Sequence, residues 1–254
     1  MGKIIAVCNQ KGGVAKTTTV CALATGLNKR GYNVLVCDCD PQRNATSVFR
    51  GETDGVATIH DLLFTKGISP EQCIQQTEIG DIIAGDSAMV RDDANLNGVR
   101  ESLILKKALA PLRDKYDFIL LDHNPGLNGI LNNVQTAADE IIIPMQADLF
   151  SVEGAADMAE RLASIQELTN PNLVVAGVLI TFDYVRSVGT KDFLSQAHVL
   201  EAAFKTRVFK SRIRRCQDIV NANNNRMSIF DYAPTSNGAS DYNALIDEYL
   251  KEVN

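Results

Sequence analysis

The stretch KIIAVCNQKGGVAKTTT, residues 3–19, decides the fold that we expect for this chain. It begins with an apolar run typical of a buried strand, passes through a loop with two adjacent glycines, and ends in residues that begin a helix. Glycines in such a loop let the backbone N–H groups turn inward toward an anion. The helix that follows adds the positive end of its dipole. The stretch therefore predicts an α/β fold with a phosphate-binding loop.

The rest of the chain continues this alternation of strand and helix. Further apolar runs predict strands at residues 33–38, 81–85, 116–122, 139–144 and 172–181. Helical patterns lie at about 17–31, 95–114, 127–138, 151–168 and 190–203. Continuous apolar strands that alternate with helices indicate a mostly parallel central sheet flanked by helices on both faces. Since no linker or repeat interrupts the pattern, we expect one α/β domain over residues 1–254.

Composition limits the class of protein. A chain of 254 residues that is 45% hydrophobic can bury a large core. No apolar run approaches the roughly 20 residues needed to cross a bilayer, and the N-terminus lacks the apolar stretch of a signal peptide. The six cysteines form no CxxC pair and are expected to be buried, reduced thiols. The sequence therefore predicts a cytoplasmic protein that does not use a membrane.

The loop itself predicts triphosphate chemistry. Lys16 is expected to reach the β- and γ-phosphates, and the Thr17 hydroxyl to bind Mg²⁺. A strict GxxxxGK[ST] pattern is not met, because Gln10 and Ala15 stand at the two glycine positions. The match is to the variant KGGxxK[ST], in which an additional lysine, Lys11, precedes the glycine pair. The residues expected to bind the nucleotide are Lys11, Gly12, Gly13, Val14, Ala15, Lys16, Thr17 and Thr18.

These motifs resemble the ParA/Soj group of ATPases, relatives of MinD and of nitrogenase iron protein. The resemblance is carried by NQKGGVAKTTT (9–19), CDCDPQRNAT (37–46), LLDHNPGL (120–127), IIIPMQADLFSVEG (141–154) and NGASDYNAL (237–245). It covers most of the chain and is weakest from about 182 to 230. The chain departs from the family at Ala15, where glycine is commoner, and at His123-Asn124, where Cys-Pro is usual.

The resemblance implies a slow, partner-stimulated ATPase with ATP and Mg²⁺ as cofactors. It implies that Lys11 crosses the interface of an ATP-bridged homodimer and acts on the partner's nucleotide; a solvated loop lysine is the alternative. Asp40 matches the family's switch carboxylate, which supports the attacking water and the Mg²⁺ shell. Asp122 matches the acid that holds Mg²⁺ through water, although a surface helix cap would explain either aspartate. Arg215 is the one residue that corresponds to the family's segment near the adenine.

A basic stretch stands out in this acidic protein of net charge −6. Six cations fall within eleven residues, and the family binds nucleoid DNA nonspecifically through basic residues in its C-terminal part. If the segment is a strand, Lys210, Arg212 and Arg214 share one face. The candidate contacts to double-stranded DNA are Lys205, Arg207, Lys210, Arg212 and Arg214. A solvated face paired with nearby acids is the alternative.

The favoured hypothesis is a nucleoid-associated partition ATPase of the short form, without a helix-turn-helix extension, whose partner is a ParB-like centromere-binding or adaptor protein. An orphan positioner of a protein cargo, such as a chemotaxis cluster or a microcompartment, stays open. A MinD-like membrane switch would need a basic amphipathic C-terminal helix, whereas ALIDEYLKEVN carries more acid than base. An iron–sulfur reductase would need cysteines that bridge a dimer, and the sequence offers no matching pair.

Overall fold

A single sheet of eight strands forms the centre of the molecule, with strand order β3-β4-β2-β5-β1-β6-β7-β8. The computed structural model of the chain describes residues 1–126, 129–148, 154–183 and 195–253. The strands are β1 (Lys3–Val7), β2 (Val34–Cys39), β3 (Ile74–Gln76), β4 (Asp81–Ile83), β5 (Phe118–His123), β6 (Glu140–Gln146), β7 (Val174–Asp183) and β8 (Val208–Arg214).

All strand pairs are parallel except the edge pair β3 and β4, which is antiparallel. The first strand lies between β5 and β6, with Ile5 opposite Leu120 on one side and Glu140 on the other. Parallel strands end at the same edge of a sheet, so the segments that follow β1, β2, β5 and β6 meet there. We call this edge the carboxyl rim.

Helices of very different lengths connect the strands. They are α1 (Lys16–Asn28), α2 (Asn44–Phe49), α3 (Ile59–Phe64), α4 (Pro70–Cys73), α5 (Met89–Asp92), α6 (Ile104–Leu109), α7 (Gly129–Ala137), α8 (Ala155–Leu168), α9 (Ala197–Phe204), α10 (Gln217–Asn224), α11 (Ile229–Tyr232) and α12 (Asn237–Val253). Short 3-10 turns occupy Asp93–Leu96, Glu101–Leu103 and Ala110–Asp114.

The core has two parts, one on each face of the sheet. Because side chains alternate along a strand, Ile4 and Ala6 pack on one face and Ile5 and Val7 on the other. Helices α7 and α8 cover the first face, and α1 and α12 cover the second. Both faces of the central strands are therefore dry, which explains why these strands are continuous apolar runs. Five of the six cysteines are buried, free thiols, as expected.

The predicted mostly parallel α/β sheet is confirmed, and each predicted strand is present. The predicted helix at 95–114 is wrong as one continuous element. Gly98 and Pro111 divide it, so that α6 is the only α-helical piece of that segment. The predicted helices at 151–168 and 190–203 are observed from Ala155 and from Ala197. The predicted first positions, 151 and 190, lie outside the described residues. The domain limits 1–254 stay a prediction.

Over the described ranges, no helix combines the length and the apolar character needed to cross a lipid bilayer.

Candidate nucleotide site

The loop between β1 and α1 has two residues with left-handed backbone, one glycine and one alanine. Gly13 has φ 71°, in the left-handed region that glycine adopts without cost. Ala15, the residue before helix α1, has φ 69° and ψ 31°, so an alanine occupies a second left-handed position. The loop keeps the fold of a phosphate loop despite the missing glycine, at the cost of local backbone strain.

Side chains from neighbouring strands hold the loop from outside. The Gln146 amide donates to the Gly13 carbonyl at 3.1 Å, and the Thr181 hydroxyl donates to the Val14 carbonyl at 3.2 Å. Asn9 accepts from the Lys11 N–H at 2.8 Å and donates to the Pro144 carbonyl at 2.7 Å. These contacts fix the loop against β6 and β7. Sequence reasoning missed all three residues, because their partners lie more than 130 positions away along the chain.

The two lysines of the loop occupy different environments. Lys16 is only 7% exposed, and its ammonium donates to the Lys11 carbonyl at 3.0 Å, across the mouth of the loop. Burial lowers the pKa of Lys16, while the nearby Asp122 opposes that shift. Lys11 instead points to the surface and forms an ion pair with Asp148 at 2.6 Å. Lys16 is therefore placed to contact a phosphate held in the loop, whereas Lys11 lies on the surface outside the loop.

Three aspartates lie at the carboxyl rim beside Lys16. Asp38 and Asp122 are opposite each other in the parallel pair β2–β5, and both are fully buried. Asp38 accepts hydrogen bonds from the Thr46 N–H and hydroxyl, both at 2.7 Å, so it joins the end of β2 to helix α2. Asp40 is 5% exposed and accepts from the Gln42 N–H at 2.8 Å. The structure thus brings the predicted switch carboxylate and the predicted metal-binding acid to one place.

The pKa values of these carboxyls reflect burial and mutual repulsion. Burial raises the pKa of Asp38 to about 6, against the lowering effect of its hydrogen bonds from Thr46. Burial, and then the neighbouring Asp38, raise the pKa of Asp122 well above its ordinary value. Burial also raises the pKa of Asp40. Such a cluster is stable as carboxylates only with a cation beside it, because buried charges need compensation.

A magnesium ion fits this compensation. Both carboxylate oxygens of Asp122 are buried and accept no hydrogen bond of ordinary geometry from the described residues, although the neighbouring Thr17 hydroxyl counteracts part of the rise in the pKa of Asp122. Mg²⁺ prefers oxygen ligands, and proteins hold it through one or two carboxylates together with substrate phosphates. Thr17, at the start of α1, supplies a hydroxyl at the same rim. The donor set therefore suits the ion that the sequence predicted.

A cavity of about 390 Å³ adjoins the loop at Ala15 and Thr18. Ala15, Thr18, Arg215 and Tyr242 contribute to its walls, together with the mainly apolar Phe182, Ile213, Ile219 and Val220. Its size and apolar lining suit a flat heterocycle. Arg215 lines this cavity between the end of β8 and the start of α10, and its contact with an adenine stays a prediction.

His123 follows Asp122 and is the last residue of β5. It is 1% exposed, one ring nitrogen contacts the Asn124 carbonyl, and its Nε2 lacks a partner among the described residues. Burial lowers the pKa of His123 to about 3, so the ring is neutral at physiological pH. The residue adds no charge beside the rim.

The basic stretch lies on β8, at the edge of the sheet. Phe209 and Ile213 are buried in the core, whereas Lys210 is exposed and Arg212 and Arg214 are half-buried. Two of these cations already have carboxylate partners.

Arg212 pairs with the buried Asp183 at 3.2 Å, and Arg214 donates to both oxygens of Asp241, at 2.6 Å and 2.9 Å. Arg207 lies over the Phe209 ring at 4.9 Å. Only the lysines of the predicted set, Lys205 and Lys210, are exposed.

Fold and loop together define a P-loop nucleoside triphosphatase. A family model described as an AAA domain matches residues 2–175. The sporulation initiation inhibitor protein Soj of Bacillus subtilis is 31% identical over 261 residues, with 98% of each chain covered. The chromosome-partitioning ATPase Soj of Thermus thermophilus is 33% identical over 98% of this chain and 96% of its own. The chain belongs to the ParA/Soj family of ATPases.

Solved structures show the same fold. A Mycobacterium smegmatis protein, described as cobyrinic acid a,c-diamide synthase with bound ADP and magnesium, superposes with a TM-score of 0.84. It is 27% identical, and the match covers 100% of this chain and 96% of that protein. The apo form of McdA from Cyanothece has a TM-score of 0.86 at 20% identity over the full length of both chains. The McdA likeness concerns the fold alone.

Proposed function

We propose that this ATPase is a DNA-partition switch: two copies pair across bound ATP, the pair binds double-stranded DNA without sequence preference, and hydrolysis releases it. The observation that carries the proposal is that one loop lysine is buried in the loop and the other is exposed at the surface. Lys16 is buried inside the loop, whereas Lys11 is 40% exposed beyond it. A cation that projects away from its own phosphate site is placed to meet the nucleotide of a second subunit.

The roles within one subunit follow from position and charge. The backbone N–H groups at the start of α1 have no acceptor in their own helix, so they are available to phosphate oxygens. Lys16 exchanges its contact with the Lys11 carbonyl for the β- and γ-phosphates. The cavity that contains Arg215 takes the adenine. A bound Mg²⁺ neutralises phosphate charge, and Thr17 and Asp122 would hold it.

Hydrolysis depends on Asp40 and on Lys11. Asp40 orients the attacking water from the carboxyl rim, and its backbone is fixed by the N–H donated to Asp38 at 3.0 Å. Lys11 supplies positive charge in trans to the phosphate that develops charge during transfer. Cations of this kind, such as arginine fingers, accelerate phosphoryl transfer by about 10³–10⁵-fold. Slow turnover follows, because the full cationic set forms only between two subunits. A ParB-like or adaptor partner protein would stimulate the step.

A DNA-binding assay with Mg-ATP, with Mg-ADP and without nucleotide tests the proposal. A labelled duplex should bind tightly only in the presence of ATP, and the affinity should fall steeply with salt, because phosphate contacts release counterions. Lys16→Ala should abolish ATP binding and DNA binding together. Asp40→Ala should keep both but stop hydrolysis. Equal DNA binding in all three nucleotide states would contradict the switch.

A further inference from the structure

A second cationic surface, separate from the β8 stretch, lies beside the nucleotide loop. Arg43 and Arg50 stand at the two ends of helix α2, and Arg226 follows helix α10. The three arginines line a cavity of about 460 Å³ together with Ser47, Glu52 and Thr53. An adjoining cavity, also about 460 Å³, shares Asn44, Ser47 and Arg226 with the first and extends to Thr17 and Thr18. We call the two cavities together the arginine groove.

The charge of the arginine groove is poorly compensated. Arg50 pairs at 2.9 Å with Glu78, but Glu78 is 82% exposed, and exposed pairs of this kind contribute little. Arg43 donates to the neutral Thr53 hydroxyl at 3.3 Å. Over the described part of the chain, no carboxylate lies within ion-pair distance of Arg43 or Arg226. This contrasts with β8, where Arg212 and Arg214 are each paired with an aspartate.

The backbone of the arginine groove is strained at each of the three cations. Arg43, Arg50 and Arg226 have φ of 59°, 58° and 52°, in the left-handed region where glycine or asparagine is usual. They make up half of the six non-glycine residues with positive φ in the described chain. Residues in such conformations cluster at functional sites. The presence of arginine at all three strained positions therefore indicates that their positive charge has a function.

The remaining lining of the groove identifies the ligand. Gln42, Asn44, Ser47, Asn223 and Asn224 provide amides and hydroxyls, and apolar side chains are almost absent. Arginine with amides and hydroxyls is the donor set that contacts DNA phosphates and does not read bases. An apolar anchor, which a protein partner would need, is missing from the lining.

We propose that the arginine groove binds the phosphodiester backbone of double-stranded DNA. The inference rests on the proposed DNA-binding function and moves its main contacts from β8 to this groove. The location also connects DNA with the nucleotide. One wall carries Thr17 and Thr18 of the nucleotide loop, and α2 in the other wall begins four residues after Asp40. The groove and the nucleotide loop therefore share Thr17 and Thr18.

One groove variant and two control variants test the proposal. The groove variant combines Arg43→Gln, Arg50→Gln and Arg226→Gln. The first control combines Lys66→Gln, Lys107→Gln and Lys251→Gln, which removes the same charge from exposed lysines elsewhere. The second control, Lys205→Gln with Lys210→Gln, removes the exposed cations of β8. Each is titrated in Mg-ATP with a fluorescent duplex of about 60 base pairs at several salt concentrations.

The groove variant should lose at least about 10-fold in affinity. In a plot of the logarithm of the binding constant against the logarithm of the salt concentration, the slope should become less steep by about 2–3, since each lost phosphate contact removes about 0.9 from it. The control with Lys66, Lys107 and Lys251 should change by less than about 2-fold. An unchanged slope in the groove variant, with loss in the Lys205/Lys210 variant, would overturn the inference. Absence of ATP-dependent binding by the wild-type chain would instead refute the proposed function.

Two further measurements separate DNA binding from other effects. Arg226→Gly removes one cation and suits the left-handed backbone, so it should weaken DNA binding while the melting temperature stays the same or rises. Affinity of the groove variant for fluorescent ATP should equal that of the wild type. If ATP binding falls instead and DNA binding does not, the groove serves the nucleotide, and the inference is wrong.

Discussion

The alanine of the phosphate loop is a strained residue with a simple test. Ala15 has φ 69°, and a left-handed non-glycine residue costs about 1–2 kcal/mol. Ala15→Gly removes that strain but gives the unfolded chain about 0.4–1 kcal/mol of additional entropy. We expect a net gain of about 0.5–1 kcal/mol in the free energy of unfolding, or roughly 2 °C in melting temperature.

Calorimetric melting of the nucleotide-free protein measures this gain. Ala15→Val serves as the opposite control, because a β-branched residue fits the left-handed region worst and should lower the melting temperature. A lower melting temperature for Ala15→Gly would show that the alanine methyl packs better than the backbone geometry suggests.

The buried aspartates predict an unusual pH dependence. The pKa of Asp38 is raised from 3.8 to about 6, and the pKa of Asp122 is also raised. Because the folded chain holds these protons longer than the unfolded chain, its stability should fall as pH rises from about 4 through 6. Mg-ATP should reverse part of the loss, since the cation compensates the carboxylates.

Asp122→Asn tests the proposed role of Asp122 as a metal-binding acid. The variant should be more stable than the wild type by about 1–3 kcal/mol at pH 7.5 without nucleotide, because a buried charge is removed. The free energy of unfolding of this variant in ATP should be the same with Mg²⁺ as with EDTA. Urea unfolding at pH 4.5 and 7.5, with ATP in EDTA or in Mg²⁺, measures both effects. Equal stabilisation of the two proteins by Mg²⁺ would exclude Asp122 from the metal site.

At the scale of elements, Arg214 of β8 joins this strand to helix α12. Arg214 donates from its backbone and from two guanidinium nitrogens to Asp241, which is 8% exposed. Arg214→Ala leaves this carboxylate without its partner. Since the arginine is one-third exposed, we expect a loss of about 1–3 kcal/mol in the free energy of unfolding, less than for a fully buried pair.

Urea denaturation of Arg214→Ala beside Lys210→Ala checks this expectation. Lys210 is exposed, so its substitution should stay within about 0.5 kcal/mol of the wild type. Loss of DNA binding in Arg214→Ala would thus need correction for the folded fraction. If both variants are equally stable, the ion pair with Asp241 is not holding the edge strand.

The elements that could be predicted from sequence are those with a local signal. The strands β1, β2, β5, β6 and β7 are covered on both faces, so each is a continuous apolar run. The edge strand β3 was missed, because its sequence IQQ is short and polar. The helix predicted at 95–114 was wrong, because the periodic pattern ignored Gly98 and Pro111.

In the candidate site, too, residues with a local sequence signal could be predicted and long-range partners could not. Lys16, Thr17, Asp40 and Asp122 follow the ends of adjacent strands, so the topology brings them together. Ion pairing is different, because it joins distant parts of the chain. The sequence left open whether Arg212 and Arg214 contact DNA or pair with acids, and the structure pairs them with Asp183 and Asp241, 29 and 27 positions away. No local pattern shows such a partner.

At the scale of the whole molecule, the surface position of Lys11 predicts the behaviour of the dimer. Lys11 pairs with Asp148 at 2.6 Å, with side chains 40% and 32% exposed. A lysine that reaches a second subunit has to leave this partner, and exposed pairs cost about 0.2–1 kcal/mol to break. A symmetric dimer breaks two, so Asp148→Asn should tighten ATP-dependent association by about 2- to 30-fold.

A double-mutant cycle decides whether the effect passes through Lys11. Sedimentation equilibrium in Mg-ATP, in an Asp40→Ala background to prevent turnover, gives the dimer dissociation constant of each protein. Lys11→Ala should weaken the dimer strongly, because the cation shared between subunits is lost. Adding Asp148→Asn to Lys11→Ala should then change nothing, since the ion pair no longer exists. An equal tightening by Asp148→Asn in both backgrounds would mean that Asp148 acts by its own charge at the interface. That result would remove the evidence that Lys11 changes partner when the dimer forms.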